Sequence, residues 1–279
     1  MRVTVHRRVA AFDAAAAPLY DADPVRHTLA ETVLDRLRTT GAPQLLLTVA
    51  RGGATVGAVV REAGRNAAVS ALPPAYAVAA DEAAAAADPD LPGAVGPVAE
   101  VEAYARAVVA RTGARVEVVM RTRLFRLVAL TEPGCVPGGA RVAGPDDVDL
   151  IVRWQAAFAA EAVSALDPPA DPRPGLVESM GRGAGHLLWE VEGEPVAYAT
   201  ARRPVAGMSR VGPVYTPPAS RGRGYGSAVT AAATAWAGRA GAREVVLFTD
   251  LANPVSNAIY PRLGFRPVDD GLELRFTTP

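Results

Sequence analysis

The chain has 279 residues, 50% of them hydrophobic and 21% charged, and its 29 basic and 29 acidic residues cancel. That balance excludes a disordered or fibrous chain, gives no whole-molecule attraction to nucleic acid or anionic lipid, and leaves room for two ordinary domains. The single cysteine, Cys135, excludes an intrachain disulfide and a cysteine-based metal cluster, and its setting in "EPGCVPGG" reads as a free thiol in a linker.

All the basic residues are arginine, so no lysine is available for catalysis. The short alanine tract from Ala83 to Ala87, between Glu82 and Asp88, falls far short of the roughly 20 residues that cross a bilayer. Arg7 and Arg8 precede "VAAFDAAAAPL", but Asp13 interrupts a segment too weakly hydrophobic for a signal peptide. The expectation is a cytoplasmic protein that binds neither nucleic acid nor membrane.

In chain order, Asp23 and Pro24 are an N-cap and first helical position, and Leu29, Val33, Leu34 and Leu37 form one face of a helix that stops at Gly41. "QLLLTVARGGATVGAVVRE" predicts a hairpin turning at Gly52 and Gly53. A strand near Ala67 to Leu72 follows, then a helix near Tyr76 to Ala87 and a helix from Val98 to about Thr112, ended by Gly113. Two strands, "ARVEVVM" and "RLFRLVAL", precede the proline- and glycine-rich "TEPGCVPGGA". That composition predicts a connection over 131–139, between a domain at 1–130 and another at 140–279.

The second half begins with "ARVA" and with Asp146 and Asp147 as cap candidates for a helix carrying Val148, Ile151, Val152, Trp154 and Phe158. The spacing of Trp154 and Phe158 predicts core packing. After proline-rich "LDPPADPRPG" come a helix around Leu176 to Arg182, a hairpin "HLLWEVEGEPVAYATARR" turning at Glu192 to Glu194, and the strand "SRVGPVYT". A helix from about Gly224 to Ala240, the strand "EVVLFTD", the helix "PVSNAIYPRLG" and a final strand "GLELRFTT" complete the chain. The order of elements is broadly the same in both halves. "GAVGP" before one helix and "RVGPV" before the other are the local points of similarity, which makes a degenerate duplication plausible.

The stretch "SRGRGYGSAV", 220–229, stands between an apolar strand and a strongly helical segment. Glycine lets the backbone adopt conformations closed to other residues and lets a ligand approach without meeting a Cβ. Unpaired N–H groups and the positive end of a helix favour phosphate, and Arg221 and Arg223 can add charge-assisted hydrogen bonds. A diphosphate is the candidate anion. Two other readings compete: a flexible arginine-glycine segment, which would be repetitive and isolated, and a dinucleotide fingerprint using Gly222, Gly224 and Asp250. In the second, six residues from Thr216 to Arg221 lie between the strand and the first glycine, too many for a tight entry.

Arg221-x-x-Gly224-x-Gly226 resembles the pyrophosphate-binding motif of the GNAT superfamily of acetyl-CoA-dependent N-acetyltransferases. "NPVSNAIYPRLGF", 253–265, is similar to the family's later pattern: an asparagine, a small residue three on, a tyrosine seven on, then Gly-Phe. The resemblance covers roughly Ala140 to the C-terminus. In the first half "GPVAEVEAYARAV" has no further glycine, and its one arginine, Arg106, lies well inside the expected helix, so that half is not expected to hold a diphosphate.

The resemblance implies an α/β (α+β) fold of two tandem GNAT-like domains, the first degenerate, each a mixed, mostly antiparallel sheet flanked by helices. It implies that the backbone of Val214, Tyr215 and Thr216 pairs with the pantetheine arm of acetyl-CoA. Arg221, Gly222, Arg223, Gly224, Tyr225, Gly226 and Ser227 would wrap the diphosphate. Asn253, with Ser256, would lie near the thiol end of the cofactor, and Tyr260 would face the departing sulfur. Read from their residues alone, Asn253 is a helix N-cap and Tyr260 an aromatic anchor beside Ile259 and Leu263.

A tyrosine titrates near ~10 and a thiol near ~8.5, so Tyr260 stays protonated at neutral pH and can still donate to the leaving group. "MSRVGPVYT" has no carboxylate to serve as base; Glu190, Glu192 and Tyr198 are the alternatives, and His186 reads as a surface or edge residue. The expected activity is acetyl transfer to a small-molecule or peptide primary amine, with a homodimer possible. A non-catalytic acyl-CoA sensor and, more weakly, a nucleotide-dependent oxidoreductase are the competing functions.

Overall fold

The chain begins with β1 (Arg2–Val5) and then α1 (Val9–Ala22), a helix that the sequence pattern did not announce. Phe12, Ala16 and Tyr20 lie one turn apart on one buried face, so the alanine-rich segment is amphipathic although Pro18 sits inside it. The next helix, α2 (Thr28–Thr40), starts later than Asp23 and Pro24 suggested: Asp23 closes α1, and its carboxylate accepts the amide of Arg26 at 3.1 Å. Leu34 and Leu37 are fully buried, and Gly41 ends the helix with φ 66° and its amide on the carbonyl of Leu37.

β2 (Pro43–Arg51) and β3 (Ala54–Glu62) form the expected hairpin, followed by β4 (Ala67–Ser70), α3 (Ala77–Ala87), β5 (Gly93–Pro97) and α4 (Val98–Thr112). α4 closes at Gly113 as predicted. "ARVEVVM" and "RLFRLVAL" are parts of one long strand, β6 (Arg115–Leu127).

The computed structural model describes residues 1–41, 43–161 and 171–278; the first half of "LDPPADPRPG", 166–170, therefore lies outside the described residues. Beyond β6 the chain forms β7 (Gly139–Val142), α5 (Val148–Glu161), α6 (Arg173–Gly181), β8 (Gly185–Val191), β9 (Glu194–Ala201) and β10 (Met208–Tyr215). It ends with α7 (Tyr225–Arg239), β11 (Glu244–Asp250), α8 (Pro254–Arg262) and β12 (Phe265–Thr277).

Contacts divide the chain into two units, Met1–Thr122 with Asp269–Pro279, and Arg123–Val268. The fold is mixed α/β, with mostly antiparallel strands flanked by helices. In the first unit the strand order is β1-β2-β3-β4-β5-β12, antiparallel except for β4 with β5. Its core joins Leu47, Val59, Val69, Val101 and Tyr104 to Leu272 and Leu274 of β12.

In the second unit the order is β7-β8-β9-β10-β11-β6, with β10 and β11 parallel. α7 supplies Val229, Ala233 and Ala237 to a core with Val211, Val245, Leu247 and Phe265, and α5 and α6 pack Ile151 and Leu176 against Leu188 and Tyr198.

"GAVGP" and "RVGPV" take different places in the fold. "GAVGP" is β5, whereas Gly212 and Pro213 lie inside β10. By position in its sheet the counterpart of β10 is β4, antiparallel to one neighbour and parallel to the other. Each of these strands is followed by Pro-Pro-Ala in a 3-10 turn, Pro74–Tyr76 or Pro218–Ser220. In the first unit α3 starts directly after that turn; in the second, Arg221 to Gly224 come before α7.

Candidate active site

β10 and β11 pair through Met208–Glu244, Ser209–Val245 and Arg210–Val246, and the parallel register goes no further. From Val211 to Tyr215 the pairs of β10 are with β9 instead, and the register shifts between Val211 and Val214. A shift of this kind bends the strand. The two strands thus part, leaving the main chain of Val214 to Thr216 at the end of β10 beside the opening. Tyr215 is buried, Val214 and Thr216 are half-buried, and Pro217 ends the pairing because it has no N–H.

At the entry to α7, Gly222 and Gly224 have φ 77° and 84°, values that a side chain resists, and Gly224 is the N-cap. Among the described residues, the amides of Gly222, Arg223, Gly224, Tyr225, Gly226 and Ser227 donate to no protein acceptor; the helical ladder begins with Ala228 on the carbonyl of Gly224. A Cβ at Gly224 would lie 3.2 Å from Val136 Cγ2, and one at Gly226 would lie 3.2 Å from Thr216 Oγ1. The cradle is therefore a run of unclaimed donors at the positive end of a helix, with the exposed Arg223 beside it.

Arg221 is differently engaged. Its Nε donates to the carbonyl of Thr216 at 2.9 Å, and its Nη2 donates to Glu161 Oε2 at 2.5 Å. The other Glu161 oxygen accepts the Tyr215 hydroxyl at 3.1 Å. Glu161 had no distinguishing signal in the sequence, because a carboxylate at a helix end reads as solvated.

α8 carries the remaining candidates. Asn253 is its exposed N-cap, with Oδ1 accepting the amide of Ser256 at 3.1 Å. Tyr260 is buried in the cluster containing Val211, Tyr225 and Leu263, with its ring centre 6.0 Å from that of Phe125 and 6.2 Å from that of Phe265. Burial raises its phenol pKa, and the Ser256 side chain opposes that weakly, so the hydroxyl stays a proton donor. Asn257, which sequence reasoning passed over, ties the loop before α8 together by donating from Nδ2 to the carbonyls of Asp250, Leu251 and Asn253. Asp250 itself accepts the amide of Ala252, closing that loop.

Three expectations about neighbouring residues change. His186 is not at the surface: it is 2% exposed, with Nδ1 2.7 Å from the Tyr198 hydroxyl and Nε2 3.1 Å from Ser179 Oγ. Burial, with a small contribution from Arg202, pushes its imidazole down to about 4. Tyr198 is enclosed in the same network by Gln155 and Thr200, and Glu190 accepts from Arg141 at 2.6 Å, so both have structural partners. Trp154 packs on the α5 cluster as predicted, but Phe158 is 36% exposed.

Among the described residues no helix is long and apolar enough to cross a membrane. Residues 152–265 match the model of the acetyltransferase (GNAT) family. The fold is similar to a GCN5-related N-acetyltransferase from Kribbella flavida, at 22% identity and TM-score 0.60, over 90% of this chain and 96% of that one. It is also similar to a GCN5-related N-acetyltransferase from Sphaerobacter thermophilus, at 17% identity and TM-score 0.62, over 100% of this chain and 96% of that one. A Drosophila protein gives 13% identity and TM-score 0.68 over 99% of this chain and 98% of that one.

At these identities the likeness to solved structures establishes the fold, and no curated protein matches the chain by sequence. The fold and the matched domain define an acyltransferase. The match covers residues 152–265, and that segment carries the likeness to the acetyltransferase (GNAT) family, whose general reaction is acetyl-CoA-dependent acetylation of small-molecule or peptide amines.

Proposed function

We propose that this protein transfers the acetyl group of acetyl-CoA to a primary amine, with the chemistry in the unit Arg123–Val268. The observation that carries this reading is the run of unclaimed amides from Gly222 to Ser227, beside strands that part after Arg210 and Val246. The diphosphate lies on those amides with Arg223, and with Arg221 once its guanidinium turns from Glu161. The pantetheine arm pairs with the main chain of Val214, Tyr215 and Thr216, and Asn253 and Ser256 lie near its thiol end.

The neutral amine attacks the thioester carbon, forming the C–N bond. The C–S bond breaks with its electron pair on sulfur, which takes the Tyr260 proton, and the amine's surplus proton passes to solvent. A backbone N–H between Val214 and Thr216 polarises the carbonyl as negative charge develops on its oxygen.

The first unit fits a degenerate copy of the same domain. Its Pro-Pro-Ala turn has no arginine-glycine run behind it, and the Glu100 carboxylate accepts the amide of Leu72 at 3.3 Å, just after β4. That places an acidic group where the second unit leaves main chain open, and burial raises its pKa to about 7.

Calorimetric titration with coenzyme A tests the cradle. Wild type should bind. Gly224→Val should weaken binding at least about tenfold, because a β-branched side chain resists positive φ and crowds Val136. Arg221→Ala combined with Gly224→Glu should abolish it. Unchanged affinity in these variants would reject the assignment.

A further inference from the structure

The Glu161 carboxylate, at the end of α5, is shared by the Tyr215 hydroxyl and the Arg221 guanidinium, one on each oxygen. Arg221 Cζ lies 5.9 Å from the centre of the Tyr215 ring, and the Trp154 ring centre is 6.2 Å from the same ring. A carboxylate beside aromatic rings is the chemistry that binds an organic cation. In this structure the cation is the protein's own.

Arg221 is held there by Glu161 and by the Thr216 carbonyl, which its Nε reaches at 2.9 Å. Its side chain is 48% exposed and that of Glu161 44%, and an exposed pair of this kind is weak. Arg221 also stands one residue before the unclaimed amides. A diphosphate on those amides offers the guanidinium several anionic oxygens in place of one exposed carboxylate and one neutral carbonyl. Once Arg221 turns to the diphosphate, Glu161 faces Tyr215 and Trp154 without its cation.

We propose that Glu161, Tyr215 and Trp154 form a receiving site for a second, positively charged group of the acceptor, and that Arg221 occupies it until the cofactor draws it away. The inference rests on the acetyl transfer proposed above and narrows its substrate class to primary amines with an ammonium or guanidinium group remote from the reacting nitrogen. It makes cofactor and acceptor cooperative. Coenzyme A removes the competitor from the cation site, and a bound acceptor cation prevents Arg221 from returning to Glu161; each ligand must therefore strengthen the other by the same factor.

Agmatine, a primary amine with a guanidinium at its far end, is the probe, and n-heptylamine is the control of similar length without the second cation. Each is titrated calorimetrically into the full chain with and without saturating coenzyme A, which cannot transfer an acetyl group. Agmatine should bind about tenfold or more tighter when coenzyme A is present, and n-heptylamine should show no such gain.

In Glu161→Gln the gain for agmatine should vanish, while coenzyme A binds severalfold tighter because Arg221 is no longer engaged. Equal agmatine affinity with and without coenzyme A, or a gain that survives Glu161→Gln, would overturn the cation site and leave acetyl transfer standing. Failure of wild type to bind coenzyme A would overturn the proposed function and this site with it.

Discussion

Tyr260 combines a buried ring with a hydroxyl that burial keeps protonated. Tyr260→Phe preserves the packing against Phe125 and Phe265 and removes only the proton donor, so kcat should fall by about 10²-fold or more while KM for acetyl-CoA and thermal stability change little. Steady-state kinetics beside a melting curve separates this from a purely structural role, in which kcat would persist. His186 makes the opposite kind of prediction. In the unfolded chain its imidazole gains a proton near 6.5, but in the folded state only near about 4. As pH falls below the unfolded value, the unfolded state binds a proton that the native state refuses, so the stability present above that value is lost progressively down to the folded one. Between neutral pH and about pH 5, wild type should lose about 2 kcal/mol that His186→Gln does not lose, measured by urea unfolding of both proteins. Parallel losses would show that the buried imidazole titrates near its ordinary value. Neither the burial of His186 nor the role of Glu161 was legible in the sequence. Each depends on partners distant along the chain, Tyr198 and Ser179 for one, Tyr215 and Arg221 for the other.

Helices and strands with a regular apolar period and a glycine stop were legible, α2 at Gly41 and α4 at Gly113 among them. The glycine strand β5 was not. In "GAVGP" the alternation is thin because the main chain packs closely: a Cβ at Gly93 would lie 2.1 Å from the Leu274 carbonyl oxygen, and one at Gly96 would lie 2.3 Å from that of Val69. Local composition cannot reveal such an approach, since the strands concerned are brought together only by the fold. Gly264 imposes a similar requirement between α8 and β12. Its φ is 94°, its carbonyl accepts the amide of Val128, and an added Cβ would lie 1.8 Å from the Ala129 oxygen. Gly264→Ala should therefore cost about 3 kcal/mol or more, by positive φ and by displacing main chain rather than a flexible side chain. Denaturant unfolding measures the cost directly; a loss below about 1 kcal/mol would mean that the segment from Val128 to Thr131 yields without resistance.

For the molecule as a whole, composition marked the proline- and glycine-rich run at 131–139, which lies within the unit Arg123–Val268, but did not reveal the place of the last strand. Asp269–Pro279 belongs to the same unit as Met1–Thr122, and Gly271 to Arg275 pair antiparallel with β5. Leu272 and Leu274 are buried in the core with Leu47, Val69 and Tyr104. Nothing in "GLELRFTT" tells which sheet receives it, because apolar alternation fixes a strand's buried face but not its neighbour. The dependence can be tested by ending the chain after Val268. The first unit then loses its β12 pairing and two buried leucines, each contributing about 1.5–3 kcal/mol of burial, against a typical domain stability of about 5–15 kcal/mol. Hydrogen exchange should show the amides of β4 and β5 losing protection in the shortened chain, together with those of α4, whose Val101 and Tyr104 pack in the same cluster. Replacing Leu272 and Leu274 by alanine in the full chain should give the same pattern in weaker form, because the ladder to β5 survives while the buried side chains are lost. Undiminished protection of β5 after truncation would mean that the first unit holds together without its sixth strand.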